Sequence, residues 1–167
     1  MALRCVRLLL ERAGAVGFGM AHLQAVLDLC RGEDPSAEVH LTGGITARRV
    51  YGDLVVTDEP AQGPLPPVSL KNGENKAGEW CVTVSGGGTG LVARPRQQGD
   101  RLRLPGQREK TLKKLLIEKK IPRYLRDSLP VVADERGVLA VAGLGENTDH
   151  PLWGKVRVAF APDKNEE

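Results

Sequence analysis

The sequence has few aromatic residues, few cysteines and no long apolar run. Phe, Trp and Tyr together make up 4% of its 167 residues, which argues against a function built on a broad base-stacking platform. No apolar run approaches the roughly 18–20 residues that span a bilayer, and the N-terminal apolar residues are too few for a secretory signal. With 41% hydrophobic and 27% charged residues, the chain is predicted to be globular.

The three cysteines, Cys5, Cys30 and Cys81, are odd in number and far apart in the sequence. This spacing fits neither a disulfide framework nor a zinc site, and it indicates a reduced, cytoplasmic protein with buried thiols. The three histidines are not at metal-ligand spacing either, and His22 is expected to pack or to cap a helix. We predict no metal site.

Positive charge is concentrated in one segment, residues 94–126. This segment holds twelve Lys and Arg against three acidic residues, whereas the rest of the chain holds twelve basic and eighteen acidic residues. A basic block of this density is typical of a surface that binds a polyanion, most often nucleic acid. A solvated helix face is the alternative, but the charge continues through a turn, a helix and a loop, which favours the binding surface.

The apolar spacing predicts an α+β protein that begins with a helical hairpin and short strands, over residues 1–57. Residues 58–78 are rich in proline and glycine and are predicted to form a linker. A small α/β C-terminal domain with a mixed sheet and one or two helices is expected over residues 79–161. Its main helix is predicted at residues 110–120, and residues 162–167 are expected to form a polar tail.

The stretch from residue 94 to residue 145 carries an ordered set of short motifs. It begins with R-P-R-Q-Q-G-D-R, continues with T-L-K-K-L-L-I-E-K-K and I-P-R-Y-L-R, and closes with V-A-G-L-G. In this order the motifs resemble the C-terminal domain of the tRNA(Ile)-lysidine synthetase family. Residues 1–57 resemble the end of the family's substrate-binding middle region, with two helices carrying a histidine, a Gly-Gly turn and R-V-Y-G-D-L at residues 49–54.

The resemblance implies a tRNA-modifying ligase that uses ATP to attach lysine to the wobble cytidine of an isoleucine tRNA. In the family the chemistry belongs to an N-terminal PP-loop domain with the motif S-G-G-x-D-S. No segment of this chain matches that domain, so we predict no catalytic residues and no activity alone. The implied partners are tRNA, on its acceptor-stem side, and a PP-loop catalytic domain in cis or in trans; a homodimer is left open.

One motif, S-G-G-G-T-G at residues 85–90, superficially resembles the PP-loop. A phosphate loop needs backbone N–H groups that converge at a helix N-terminus after a strand. Because Pro95 follows closely, a continuous helix is not expected, and we predict a hairpin turn instead. ATP is therefore assigned to the family's catalytic domain, and no cofactor is assigned to this chain. A nucleotide-using enzyme centred on this loop is the least favoured hypothesis.

The basic block is predicted to contact tRNA phosphates, which orient the RNA without requiring sequence recognition. Its arginines flank a turn at Gly99–Asp100, its lysines line a helix, and two arginines three residues apart follow Pro122. Asp100 is expected to cap the turn or to orient an arginine. The predicted RNA-binding residues are Arg94, Arg96, Arg101, Lys110, Lys113, Lys114, Lys120, Arg123 and Arg126.

The predictions also cover the two tryptophans and one alternative function. Trp80 and Trp153 are isolated in the sequence and are expected to pack in or beside the core rather than to stack on bases. The main alternative function is a protein-interaction or regulatory domain that gates a separate PP-loop catalytic subunit.

Overall fold

The structure, a computed structural model, describes residues 1–59 and 62–163. The chain divides into two compact units, Met1–Ala61 and Gln62–Glu167, and each unit is described by itself. Of the predicted tail, Pro162 ends the last strand and Asp163 follows it, while residues 164–167 lie outside the described residues.

The first unit consists of two helices and a three-stranded antiparallel sheet, as the apolar spacing predicts. Leu10, Leu23 and Val26 are buried where the helices pack together, and Ile45 and Ala47 extend this core to the sheet. The elements are α1 (Ala2–Arg12), α2 (Met20–Arg31), β1 (Glu38–His40), β2 (Thr46–Val50) and β3 (Asp53–Thr57).

The prediction that the thiols are buried is wrong for two of the three cysteines. Cys5 and Cys30 are exposed, and Cys81 is half-buried. In the last turn of α2 Leu29 is buried and Cys30 is exposed, although Cys30 follows the buried Leu23, Val26 and Leu27 at helical spacing. Cys5 lies one residue before the buried Val6 and therefore on another face of α1.

The second unit is built almost entirely from short strands with one α-helix, so the whole chain is α+β as expected. Every strand pairing among the described residues is antiparallel, which corrects the predicted mixed sheet. Turns join β5 to β6 and β10 to β11, whereas β7 and β10 pair although residues 95–130, which contain α3, lie between them. The elements are β4 (Val68–Ser69), β5 (Gly73–Ala77), β6 (Trp80–Ser85), β7 (Val92–Arg94), β8 (Arg101–Leu102), β9 (Lys110–Thr111), α3 (Leu112–Glu118), β10 (Val131–Asp134), β11 (Gly137–Val141), β12 (Gly145–Glu146) and β13 (Arg157–Pro162).

The predicted linker at residues 58–78 is largely part of the second unit. Strand β4 pairs with β7, and β5 forms a hairpin with β6. Leu65, Leu70 and Ala77 from this segment are buried in the core of the second unit. Proline and glycine interrupt this segment, but its apolar residues are distributed along it, so that each short stretch between them packs into the core.

Two cores hold the second unit together. One lies between a five-stranded sheet, ordered β12-β11-β10-β7-β4, and a three-stranded sheet, ordered β13-β6-β5, and it contains Val82, Val84 and Leu139. The other packs α3 against the opposite face of the larger sheet through Leu115, Val131 and Val141. None of the helices in the described residues is long and apolar enough to cross a membrane.

Candidate nucleic-acid interface

Helix α3 separates apolar and basic side chains onto two faces. Leu112, Leu115 and Leu116 are each only 1% exposed, whereas Lys113 and Lys114 are exposed between them. The helix begins at Leu112 because Thr111 Oγ1 accepts a hydrogen bond from the Lys114 backbone N–H at 3.3 Å. The first two residues of the predicted helix instead form β9, which pairs with β8. The buried leucines therefore fix the direction in which the two lysines point.

Lys120 lies just beyond the C-cap of α3 in an unusual backbone conformation. Its φ is +54°, in the left-handed region where glycine is the favoured residue at this position. The Lys120 N–H donates to Ile117 O and the Ile121 N–H to Leu116 O, both at 2.9 Å, so the two bonds form a Schellman motif. The chain thus keeps a lysine where backbone strain of about 1–2 kcal/mol favours glycine, and it exposes that lysine beside the others.

The turn after β7 uses its arginine differently. The Arg94 guanidinium binds Asp100 with two hydrogen bonds of 2.9 Å, and both side chains are largely buried. Asp100 also accepts a hydrogen bond of 2.7 Å from the Gln97 N–H. The prediction that Asp100 caps the turn or orients an arginine is therefore confirmed in both forms. Because Arg94 is held by Asp100, it shapes the turn rather than projecting from it.

The turn and the start of α3 enclose one open cavity of about 470 Å³. Arg96 and Lys113, two of the predicted RNA-binding residues, both line it. Gln97 and Gln98 also line it, and because they carry no charge they could not be identified by the pattern of basic residues. Arg96 Nε donates a hydrogen bond to Asp127 at 2.7 Å, and both side chains of this ion pair are partly exposed to solvent.

Two other predicted residues form exposed ion pairs near this surface. Arg101 Nε is 3.2 Å from Glu109 Oε2, and Lys110 Nζ is 2.8 Å from Glu118 Oε2. The hydrogen bond from Lys110 is the main cause that lowers the pKa of Glu118, and the charges of Lys110, Lys114 and Lys119 act in the same direction. Exposed pairs of this kind contribute little to stability.

The two arginines after Pro122 differ in their exposure and in their hydrogen bonds. The segment is a short 3-10 helix at Arg123–Leu125 rather than an α-helical turn. Arg123 is exposed, whereas Arg126 is half-buried and its Nε donates to Ile121 O at 2.9 Å. Of the nine predicted residues, those with neither a hydrogen bond nor an ion pair from their side chains within the described ranges are Lys113, Lys114, Lys120 and Arg123.

A buried polar network, missed from the sequence, attaches β8 to the larger sheet. The Asn147 side chain accepts from the Arg103 N–H at 2.9 Å and donates to Val138 O at 2.8 Å. It also accepts a hydrogen bond from the Asp149 N–H. A buried asparagine with three such bonds fixes the backbone around it. The β8–β9 hairpin, which leads into α3, is therefore held against β11.

Asp134 and His150 form a second buried polar contact, at 3.0 Å, close to the end of the β10–β11 hairpin. His150 Nδ1 accepts the Leu152 N–H, so Nε2 carries the proton and donates to Asp134. Burial acts to raise the pKa of Asp134, but hydrogen bonds from Arg136 and His150 outweigh it and leave this pKa below its usual value. Asp134 is thus held as a carboxylate.

The S-G-G-G-T-G segment is not a hairpin, because it connects β6 in the smaller sheet to β7 in the larger one. A Cβ on Gly86, whose φ is +104°, would lie 2.2 Å from Lys155 O, so backbone packs directly against this glycine. The segment also enters a strand instead of a helix, and these residues do not fit a nucleotide phosphate.

In the first unit, the prediction for His22 is confirmed, because its Nδ1 accepts the Gly19 N–H at the start of α2.

Comparison with known proteins assigns both units. Residues 91–156 match the model of the TilS substrate C-terminal domain, and residues 1–55 match the model of the TilS substrate binding domain. The protein is therefore of the class in which a substrate-binding domain is followed by this C-terminal domain. The chain belongs to the tRNA(Ile)-lysidine synthase family.

Similar proteins include the tRNA(Ile)-lysidine synthase of Exiguobacterium sibiricum, 35% identical over 70% of this chain and 31% of that protein. The synthase of Geobacillus kaustophilus is 32% identical over 74% of this chain and 32% of that protein. The chain thus spans about a third of the length of these relatives. A solved structure, "Crystal structure of TILS C-terminal domain", is 25% identical, with a TM-score of 0.37 over 76% of this chain and 91% of that one.

Proposed function

We propose that this chain is the tRNA-binding portion of a tRNA(Ile)-lysidine synthase, the ligase that joins lysine to the wobble cytidine of isoleucine tRNA with ATP. The observation that supports this proposal is the basic face of α3. Lys113 and Lys114 are exposed opposite three buried leucines, and Lys120 is retained in a conformation that favours glycine. A solvated helix face does not require that last feature.

The geometry favours contact with the backbone of folded RNA, and we propose the acceptor stem as the part that this surface binds. Lysine side chains neutralise phosphates as point charges and need no fixed base geometry. The described residues that line the cavity beside α3 include no aromatic ring, so base stacking does not contribute at this site. Gln97 and Gln98 add hydrogen-bond donors for phosphate or ribose oxygens.

The test is the affinity of the full chain for an isoleucine tRNA at low salt, measured by fluorescence anisotropy. Replacing Lys113, Lys114 and Arg123 with Ala is expected to weaken binding by roughly tenfold or more, because three phosphate contacts are lost. Thermal stability should change little, since all three side chains are exposed.

A control removes two exposed positive charges elsewhere in the same unit, through Lys71→Ala and Lys76→Ala, and is compared with Lys113→Ala combined with Lys114→Ala. The control variant should bind tRNA within about twofold of the unmodified chain if position, rather than total charge, determines binding. Equal losses in both variants, or no tRNA binding by the unmodified chain, would count against the proposal.

A second candidate function rests on helix α1. Its buried residues are Val6 and Leu10, whereas Leu8 and Leu9 lie outside that stripe and are 52% and 37% exposed. Adjacent exposed leucines are apolar surface that a partner can bury. Because the relatives are about three times as long as the matched region, we propose that the PP-loop catalytic domain of such a protein covers this face.

This candidate is tested by adding the isolated catalytic domain of the Geobacillus kaustophilus synthase and measuring binding by calorimetry. Leu8→Gln with Leu9→Gln is expected to weaken the complex at least tenfold, while Arg4→Gln on the charged face should not. If the double variant binds the domain normally, or if it instead changes only self-association of the chain, the catalytic domain is not the occupant.

A further inference from the structure

A groove of about 550 Å³ lies at the edge of the smaller sheet, and its described lining residues include none from the basic block. Trp153 lines it and is 46% exposed, contrary to the expectation that this tryptophan packs in or beside the core. The other residues of the groove that matter here are Thr83, Ser85, Glu146 and Arg157. The groove thus combines an exposed indole with hydroxyl, carboxylate and guanidinium groups.

The sheet pairing places the hydroxyl and guanidinium groups on one surface. Arg157 lies opposite Ser85, and residue 159 lies opposite Thr83, so these four positions share a face. The intervening residues Val82 and Val84 are buried in the core, which puts the polar face toward solvent.

Backbone hydrogen bonds before and after Trp153 hold the turn that carries it. The Trp153 N–H donates to His150 O at 2.9 Å, and the buried His150 is itself bonded to Asp134. The backbone N–H groups of Lys155 and Val156 both donate to Leu152 O at 3.0 Å, and Leu152 packs on the core. The indole is therefore presented by a preorganised turn, which reduces the entropy lost when it contacts a ligand.

Glu146 supplies a fixed acceptor in the same groove. Its Oε1 accepts the Val158 N–H at 3.4 Å, which holds the carboxylate beside β13. A carboxylate in a binding groove accepts hydrogen bonds from exocyclic amines, such as N4 of cytosine. Lys155 and Arg157 are exposed nearby and supply the positive charge that a phosphate backbone requires.

We propose that this groove binds an unpaired nucleotide of RNA whose base carries an exocyclic amine, with the base stacked on Trp153. The proposal rests on the proposed tRNA-binding function and adds a second RNA site to it. Every tRNA ends in unpaired cytidines and adenosine beyond its acceptor stem, so the two sites are suited to the stem and its unpaired end. Arg157 and the two hydroxyl groups hold the ribose and phosphate in this arrangement.

The experiment compares three RNA hairpins of identical stem: one blunt, one with an unpaired 3′ CCA tail and one with an unpaired 3′ UUU tail. The full chain should bind the CCA-tailed hairpin at least tenfold more tightly than the blunt one. Trp153→Ala should remove that difference, because stacking of one base on an aromatic ring has an effect of this size. Trp153→Phe should retain most of it, and blunt-hairpin affinity should stay within twofold in both variants.

Fluorescence gives an independent readout. In a Trp80→Phe chain, Trp153 is the sole tryptophan, and its emission should be quenched by the CCA-tailed hairpin but not by the blunt one. Equal binding of tailed and blunt hairpins, or a Trp153→Ala variant that retains the difference, overturns the nucleotide site while leaving the tRNA proposal intact. Equal binding of the UUU and CCA tails overturns the selection for an amine. Failure of all three hairpins to bind counts instead against the proposed function.

Discussion

The turn at residues 94–100 and helix α3 both carry positive charge, and they use it in opposite ways. In the turn, Arg94 is held by Asp100 through two hydrogen bonds and is largely buried. In the helix, Lys113 and Lys114 are exposed, and Lys120 occupies a strained position at the end. The comparison teaches that a basic block in a sequence combines charges that build the fold with charges that remain available to a ligand.

The largest expected effect tests the structural side of this comparison. Arg94→Ala should lower the free energy of unfolding by about 3 kcal/mol, because it leaves the Asp100 carboxylate buried without its guanidinium partner. Lys113→Ala should change it by less than about 0.5 kcal/mol. Urea denaturation measures both values. Similar losses of unfolding free energy in the two variants would contradict the distinction between the buried arginine and the exposed lysine.

A double variant sharpens that result. Arg94→Ala combined with Asp100→Ala should cost less than the sum of the two single changes, because no unpaired charge remains buried. Strictly additive costs would show that the two side chains act independently.

The next effect concerns Asp134, a carboxylate that is paired inside the unit. Its pKa is below the usual value in the folded protein, so its stabilising contribution is present above the unfolded pKa of about 3.9 and is lost as the pH falls through the folded pKa. Asp134→Asn should therefore reduce stability at neutral pH by about 1–3 kcal/mol and make acid unfolding less steep. Thermal melts between neutral pH and acid measure this, with the exposed Glu135→Gln as the control.

The smallest expected effect has opposite signs on stability and on binding. Lys120→Gly should raise the free energy of unfolding by about 1 kcal/mol, because it relieves the left-handed strain. The same change should weaken tRNA binding severalfold. Lys119→Gly, one residue earlier at a φ of −80°, should bring no gain in stability. If Lys120→Gly leaves tRNA affinity unchanged, Lys120 belongs with the structural charges.

The local elements could be predicted from the sequence where one signal dominated. The apolar spacing located α1 and α2, and the leucines of α3 located that helix within two residues of its start. Long-range partners could not be predicted in the same way. Nothing near Pro64 or Gly73 indicates that β4 pairs with β7, and nothing near residue 85 indicates that β6 and β7 lie in different sheets.

The candidate site was predictable in composition but not in accessibility. The basic residues were identified by charge, yet their separation into paired and exposed groups depends on acids that are distant in sequence, as in Arg96 and Asp127. Asn147 and the Asp134–His150 contact carried no local signal, because one polar residue in a loop has no periodicity. The exposure of Trp153 was also unpredicted, since it depends on the turn that His150 anchors.

The most direct test of the central claim is the salt dependence of tRNA binding by the full chain. With about five phosphates neutralised, affinity should fall by roughly two orders of magnitude between about 50 and 200 mM salt. In the variant with Ala at positions 113, 114 and 123, the slope of log affinity against log salt should be shallower by about two to three units. Binding that is independent of salt, or an unchanged slope in that variant, would contradict the account.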